Sequence, residues 1–249
     1  MKDAIDDLTK SLYGYNSSVN NSVNNVNKAF QAIGVIMISV MMLIEMLSWY
    51  RYIKRENGDV TWRLFLEIAY KYAIAYALVM FSGKLVKVFL WFFDGVAGLA
   101  GSDNFKEIGT FTALKKGNTF VRYAVNIIAW IMGSVSLLSI KVITLLRFIE
   151  LYLLKAVSPI FVAFWMSDST RSIAANFLKR AAAVSFQAVI IILILVIWQG
   201  FSIDSSLKFS TDGLIGEFAD GAIYICKCVV FTFLLFGSQR MAKSLFQAN

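Results

Sequence analysis

AAAVSFQAVIIILILVIWQ, residues 181–199, decides the fold class, because it runs for 19 residues without a charge. At about 1.5 Å of rise per residue, a helix of that length covers roughly the 30 Å hydrocarbon core of a bilayer. It is apolar on every side rather than along one stripe, which is the pattern of a helix surrounded by lipid or protein. The composition agrees: 58% of the 249 residues are hydrophobic and only 16% are charged, well below the roughly 25% typical of soluble domains.

Working outward, four more apolar stretches appear. The first runs from Ala29 to Tyr50 and ends in Arg51, Lys54 and Arg55 beside Trp49, Tyr50 and Tyr52, the mixture of aromatics and cations that marks a membrane interface. The second, Trp62 to Gly101, is punctuated by Glu67, Lys71, Lys84, Lys87 and Asp94. It reads as one long or bent helix, or as a span plus an interfacial segment, and Glu67 and Lys71 are four apart and can pair. Gly95, Gly98 and Gly101 are expected to loosen its end before a polar loop, Ser102–Thr119.

The third stretch, Val121 to Met166, is about twice what one crossing needs and contains Lys141, Arg147, Glu150, Lys155 and the only proline, Pro159. Proline lacks a donor and disfavours helix at Ser158, so a break or re-entrant turn is expected there. Arg147 and Glu150, three apart, are expected to form a local ion pair. Asp168, Arg171, Lys179 and Arg180 mark a polar segment before the 181–199 stretch, in which Ala181 and Ser185 offer a small-residue contact face, as do Ala97 and Gly101 earlier. An acidic loop over 201–218, with Asp204, Asp212 and Glu217 against Lys208, leads to a last stretch at Ala219–Gly237, followed by Arg240 and Lys243.

The N-terminal 28 residues are polar, so no cleaved signal sequence is expected. Ile5, Leu8, Leu12, Tyr15, Val19 and Val26 nevertheless recur at helical spacing. Asn20, Asn21, Asn24 and Asn25 are weak helix formers, so the segment reads either as a marginal amphipathic helix that needs a partner or as a solvated tail. The expected organisation is therefore all-α and polytopic: an amphipathic segment at 1–28, then one membrane domain at 29–249 with about five transmembrane helices and a proline-broken piece.

Topology from charge leaves two arrangements open. If 121–166 crosses once, the basic ends at 51–63, 171–180 and 240–243 share one side, giving five crossings with the N-terminus out and the C-terminus in. Two crossings there would give six, with the N-terminus in. Five is preferred because Arg51, Lys54 and Arg55 abut the first span directly.

The residues for familiar chemistry are missing. The chain has no histidine, which removes the commonest general base and the histidine-based zinc motifs. It shows no phosphate-binding loop, nucleophile elbow or dinucleotide fingerprint. Cys226 and Cys228 alone make a poor metal site. No enzymatic activity, cofactor or metal is expected. Charges in or beside apolar stretches, namely Glu45, Lys84, Lys87, Asp94, Lys141, Arg147, Glu150, Lys155 and Lys227, either line a water-filled path or pair across helices. For Glu45, Lys84, Lys87 and Lys227, snorkelling to an interface is the plainer explanation. The net charge of +8 is the ordinary topology signal of membrane proteins.

One segment carries a more specific signal: RFIELYLLKAVSPIFVAFWMSDSTRSIAANFLKRAAAVSFQ, residues 147–187. It combines Arg-x-x-Glu, a proline within an apolar run, a polar turn, Asn-x-x-Lys and Phe-Gln. This resembles the TrbL-like polytopic subunit of conjugative type IV secretion systems, in the versions carried by Gram-positive elements, and the C-terminal AKSLFQAN, residues 242–249, is similar to the end of that family. The resemblance implies a channel or scaffold subunit, oligomeric and non-enzymatic, that helps single-stranded DNA and its relaxase leave the donor cell. It implies other channel subunits, their ATPases and membrane lipid as partners, an N-out, C-in orientation, and Arg147, Glu150, Pro159, Asn176, Lys179 and Gln187 as structural or partner-contact positions. Lys84, Lys87 and Lys141 are candidates for pore lining or contact with the strand; Trp91, Phe92 and Phe93 place aromatics beside the first two. A proton- or ion-coupled transporter is the rival reading, resting on the intramembrane charges and the proline, although no inverted repeat is visible.

Overall fold

The computed structural model describes residues 6–55, 62–100, 119–203 and 214–248. Among these the protein is entirely helical, with five helices long and apolar enough to cross a membrane. The acidic residues Asp204 and Asp212, Gly101 and most of the expected 102–119 loop lie outside the described residues.

A short helix, α1 (Leu12–Tyr15), follows a helical turn at residues 6–8. The Ser11 hydroxyl accepts the Gly14 amide at 3.1 Å to start it, and extended backbone at Asn16 ends it. The Asn16 side chain then accepts the Val19 amide at 3.0 Å, so the residue that stops α1 caps α2 (Ser17–Arg55). The 1–28 segment and the first apolar stretch are thus not separate helices: from Ser17 onward they form one helix of 39 residues, about 58 Å long.

Next come α3 (Trp62–Ala100) and α4 (Thr119–Ala163). Gly95 and Gly98 lie inside α3, where an added Cβ would meet nothing within 4 Å, and do not end it. The break expected at Ser158–Pro159 is also absent: α4 continues through the proline for 45 residues and gives way only at a 3-10 turn, Phe164–Met166. A single helix through 119–163 favours one crossing there, hence five in all. After Ser167–Thr170 come α5 (Arg171–Ile203) and α6 (Leu214–Leu245). The last helix closes in a Schellman turn, with Ala248 N donating to Lys243 O at 2.9 Å and Gln247 N to Ser244 O at 3.1 Å. Gln247 takes the left-handed position at φ 50°, where glycine is usual.

Contacts divide the chain into two compact units. One comprises Met1–Thr9, Phe93–Arg147 and Phe186–Ala242; the other comprises Lys10–Phe92, Phe148–Ser185 and Lys243–Asn249. In the first, Ile140 and Ile143 pack with Ala188, Ile191, Phe231 and Leu235. In the second, Leu12, Val86, Phe148, Leu151, Phe177 and Ala181 make one core, and Ile38, Ile68, Ala75, Val79 and Met166 make another. Between Ala181 and Ile192 every side chain of α5 except Phe186 is buried. The charge-free stretch is therefore enclosed by its own chain as far as Ile192, whereas Leu193, Val196 and Ile197 are exposed, and the Ala181–Ser185 face, like Ala97, is spent on internal packing rather than left free for a second copy.

Candidate functional site

In a helical membrane protein, buried polar side chains are costly unless paired, so their partners show where the sequence has been constrained. In the second unit, Phe148, Tyr152, Lys155 and Pro159 recur every three or four residues along one face of α4. That face receives α1 and the first turns of α2. Tyr15 stacks on Phe148, with ring centres 3.9 Å apart. The Tyr152 hydroxyl donates to the carbonyls of Leu12 at 2.6 Å and Asn16 at 3.3 Å. Lys155, 1% exposed, donates from Nζ to Asn20 Oδ1 at 2.7 Å.

Pro159 explains the next contacts. Its ring nitrogen cannot donate to the carbonyl four residues back, which belongs to Lys155. That carbonyl instead accepts Asn27 Nδ2 at 2.6 Å and the Ser158 hydroxyl at 2.9 Å. Asn27 Nδ2 also reaches Ser158 Oγ at 3.1 Å. Gln31 Nε2 extends the polar line to Asn27 Oδ1 at 3.4 Å and Met80 O at 3.1 Å. Two glycines give it room: a Cβ on Gly83 would lie 3.1 Å from Asn27 Oδ1, and one on Gly34 only 2.9 Å from the Pro159 carbonyl oxygen. These repairs keep α4 helical where a break was expected.

The amphipathic face read from the N-terminal sequence holds only in part. Leu8 and Leu12 are buried, but Val19 and Val26 are exposed, and Asn20 and Asn27 are buried instead. The stop at Asn16 restarts the helix with a new phase, which turns the valines outward.

Two ionic clusters also lie in this unit. Lys71 pairs with Glu67 at 3.3 Å, as the spacing predicts, and also with Asp168 at 2.9 Å and Glu45 at 3.7 Å. Glu45 is buried and accepts the Ser167 hydroxyl at 3.1 Å, so it ties α2 to the α4–α5 connection and does not snorkel. Asp168, outside the apolar spans, is held below its ordinary carboxyl range by the Lys71 hydrogen bond; the charges of Lys71 and Arg171 add to this against a smaller opposing effect of burial. Glu150 pairs with Arg180 at 3.0 Å and Lys243 at 3.1 Å.

In the first unit, Arg147 is fully enclosed. Its Nη1 donates to Leu8 O at 2.7 Å and its Nη2 to Asp94 Oδ1 at 3.2 Å. Arg147 and Glu150, expected to pair along one helix turn, therefore each find an ionic partner on another helix. Gln187 donates to Ser238 Oγ at 3.2 Å, and its buried Oε1 has no hydrogen-bond partner among the described residues. Ser136 Oγ reaches Cys228 O at 3.2 Å, and Gly133 makes room for the Tyr224 hydroxyl, 2.7 Å from where its Cβ would be.

The positions singled out in the sequence thus fall into two kinds. Arg147, Pro159 and Gln187 are buried and Glu150 is half-buried within ion pairs, whereas Asn176, Lys179, Lys84, Lys87 and Lys141 are exposed. Sequence reasoning missed Asn20 and Asn27; their seven-residue spacing, which puts both on one face of a helix, was the available signal. Among the described residues no group of three metal-ligating side chains is assembled.

Residues 73–238 fit the profile of the family described as TrbL/VirB6 plasmid conjugal transfer protein. No curated protein and no solved structure matches the chain significantly.

Proposed function

The chain belongs to the TrbL/VirB6 plasmid conjugal transfer protein family, and from that membership we propose that it is a non-enzymatic channel or scaffold subunit of a conjugative type IV secretion system. It helps single-stranded DNA, with its relaxase, cross the donor membrane. The observation that carries this reading is the family match over 73–238, which takes in α4, α5 and most of α3 and α6.

The arrangement of polar groups supports a division of labour. Arg147, Glu150, Pro159 and Gln187 hold helices of the same chain together, so they build the subunit rather than act on cargo. Asn176 and Lys179, exposed on the first turns of α5, are free to meet other channel subunits or their ATPases. Lys141, exposed near the middle of α4 among apolar side chains, is costly in lipid. In an assembly of several copies it has a place on the wall of the path taken by the strand. Five crossings set the termini on opposite sides, and the basic ends at 51–63, 171–180 and 240–243 support an N-terminus outside and a C-terminus in the cytoplasm.

The test is to crosslink DNA in transit and isolate this protein from donor membranes. Strand recovered with it makes it part of the wall. Strand recovered only with channel subunits that co-purify with it makes it a scaffold. A protein that neither touches the strand nor co-purifies with channel subunits overturns the proposal.

A further inference from the structure

The five spans contain four carboxylates, Glu45, Glu67, Asp94 and Glu150. All four are engaged by cations of their own chain: Lys71 takes Glu45 and Glu67, Arg147 takes Asp94, and Arg180 and Lys243 take Glu150. Cations in the spans are far more numerous, and Lys84 and Lys87 on α3 are exposed with no carboxylate partner among the described residues. A second copy of this chain has no uncommitted carboxylate in its spans to offer them. Anionic headgroups are a counter-charge that every membrane surface offers.

The surroundings of these lysines narrow the choice. Phe81, Lys84, Val88 and Trp91 follow one another at spacings of three and four and share an exposed face, with Lys87 at its edge. Lys84 Nζ lies 4.9 Å from the centre of the Phe81 ring. Trp91 is 77% exposed. After the ion pairs of Lys71, residues 72–83 are uncharged. A crossing of about 20 residues that begins there ends near Trp91, which sets Lys87 within stem's reach of the headgroup level and Lys84 about one turn deeper. Exposed apolar and aromatic side chains around cations suit acyl chains and headgroups better than a hydrated strand, whose path needs a polar wall.

We propose that the Phe81–Lys84–Lys87–Trp91 face of α3 is a docking surface for anionic phospholipid, with the Lys87 ammonium on the headgroup phosphate, Trp91 at the glycerol level, and Lys84 and Phe81 below them along the acyl chains. This goes beyond the transfer reading and does not depend on it, since it concerns the purified chain in a bilayer.

The full chain is reconstituted in phosphatidylcholine vesicles that carry a minor share of brominated phosphatidylglycerol or, in parallel, brominated phosphatidylcholine. The Trp91 contribution to fluorescence is the difference between wild type and Trp91→Phe. Quenching of that contribution should show about fivefold enrichment of phosphatidylglycerol, the size expected from one engaged lysine. The enrichment should vanish in Lys84→Gln/Lys87→Gln and return in Lys84→Arg/Lys87→Arg. Equal quenching by the two lipids, or enrichment that survives the double glutamine variant, overturns the proposal. So does relief of the quenching by a single-stranded oligonucleotide, which would assign the face to the strand.

Discussion

The side-chain amide of Asn27 donates to the carbonyl of Lys155 at 2.6 Å, across 128 residues of sequence. That carbonyl is the one Pro159 leaves without its helical donor. A proline that would break an isolated helix is thereby accommodated by a residue on a different helix, and the two positions should be energetically coupled. Asn27→Leu should cost roughly 1–3 kcal/mol in the native sequence by stripping a donor from a buried carbonyl, with Ser158 keeping the loss toward the lower end. With Pro159→Ala, which restores the backbone N–H, most of that cost should disappear. Thermal unfolding of the four proteins in detergent measures the coupling; simple addition of the two single effects would contradict it.

Arg147 is enclosed with Asp94 and the Leu8 carbonyl. Asp94→Asn or Arg147→Met alone should each destabilise the protein by about 3–5 kcal/mol, because one charge is left buried without its counterpart. Asp94→Leu combined with Arg147→Met should recover a large part of that loss. Transfer by this double variant would also tell whether the pair serves only the fold.

Gly34 and Gly98 should respond oppositely to the same change. Gly34→Ala drives a methyl to 2.9 Å from the Pro159 carbonyl, which is backbone and cannot turn aside; a loss of about 1–3 kcal/mol is expected. Gly98→Ala enters open space and should be neutral or slightly stabilising, since alanine is the better helix former. Unfolding midpoints of the two variants check this directly.

Asp168 gives the connection between α4 and α5 a defined acid response. Its folded carboxyl titrates below the unfolded value of about 3.9 because Lys71 bonds the charged form. Its contribution is then fully present above pH about 4 and is lost as pH falls through the lower folded value. The side chain is half exposed, so the effect is modest. Asp168→Asn should lower stability at neutral pH and flatten the acid limb of the stability curve; an unchanged acid limb would contradict the assignment.

Topology is testable by labelling in a Cys226→Ser/Cys228→Ser background. Ser18→Cys should react with a membrane-impermeant maleimide on intact cells, and Ser244→Cys only after permeabilisation. Labelling of both from one side would remove the five-crossing arrangement with the N-terminus outside.

Much of this architecture is legible in the sequence because lipid imposes strong rules. A charge-free run such as 181–199 has few uses other than a buried or spanning helix, and the Glu67–Lys71 pair follows from helical spacing alone. Pro159 was legible as an anomaly but not in its outcome, since the donor that rescues Lys155 O comes from a distant helix that no local rule connects to it. Asn20 was read only for its poor helix propensity and Asn27 not at all, whereas tertiary contacts decide the place of both. Arg147 and Glu150 satisfied a local pairing rule, and spacing alone could not reveal Asp94, Arg180 or Lys243 as their partners on other helices.

The central claim is tested most directly by conjugation frequency from a donor with an in-frame deletion of this gene, with and without a complementing copy, at matched growth. Loss of transfer that complementation restores is the predicted result. Undiminished transfer from the deletion would contradict a role in the mating channel.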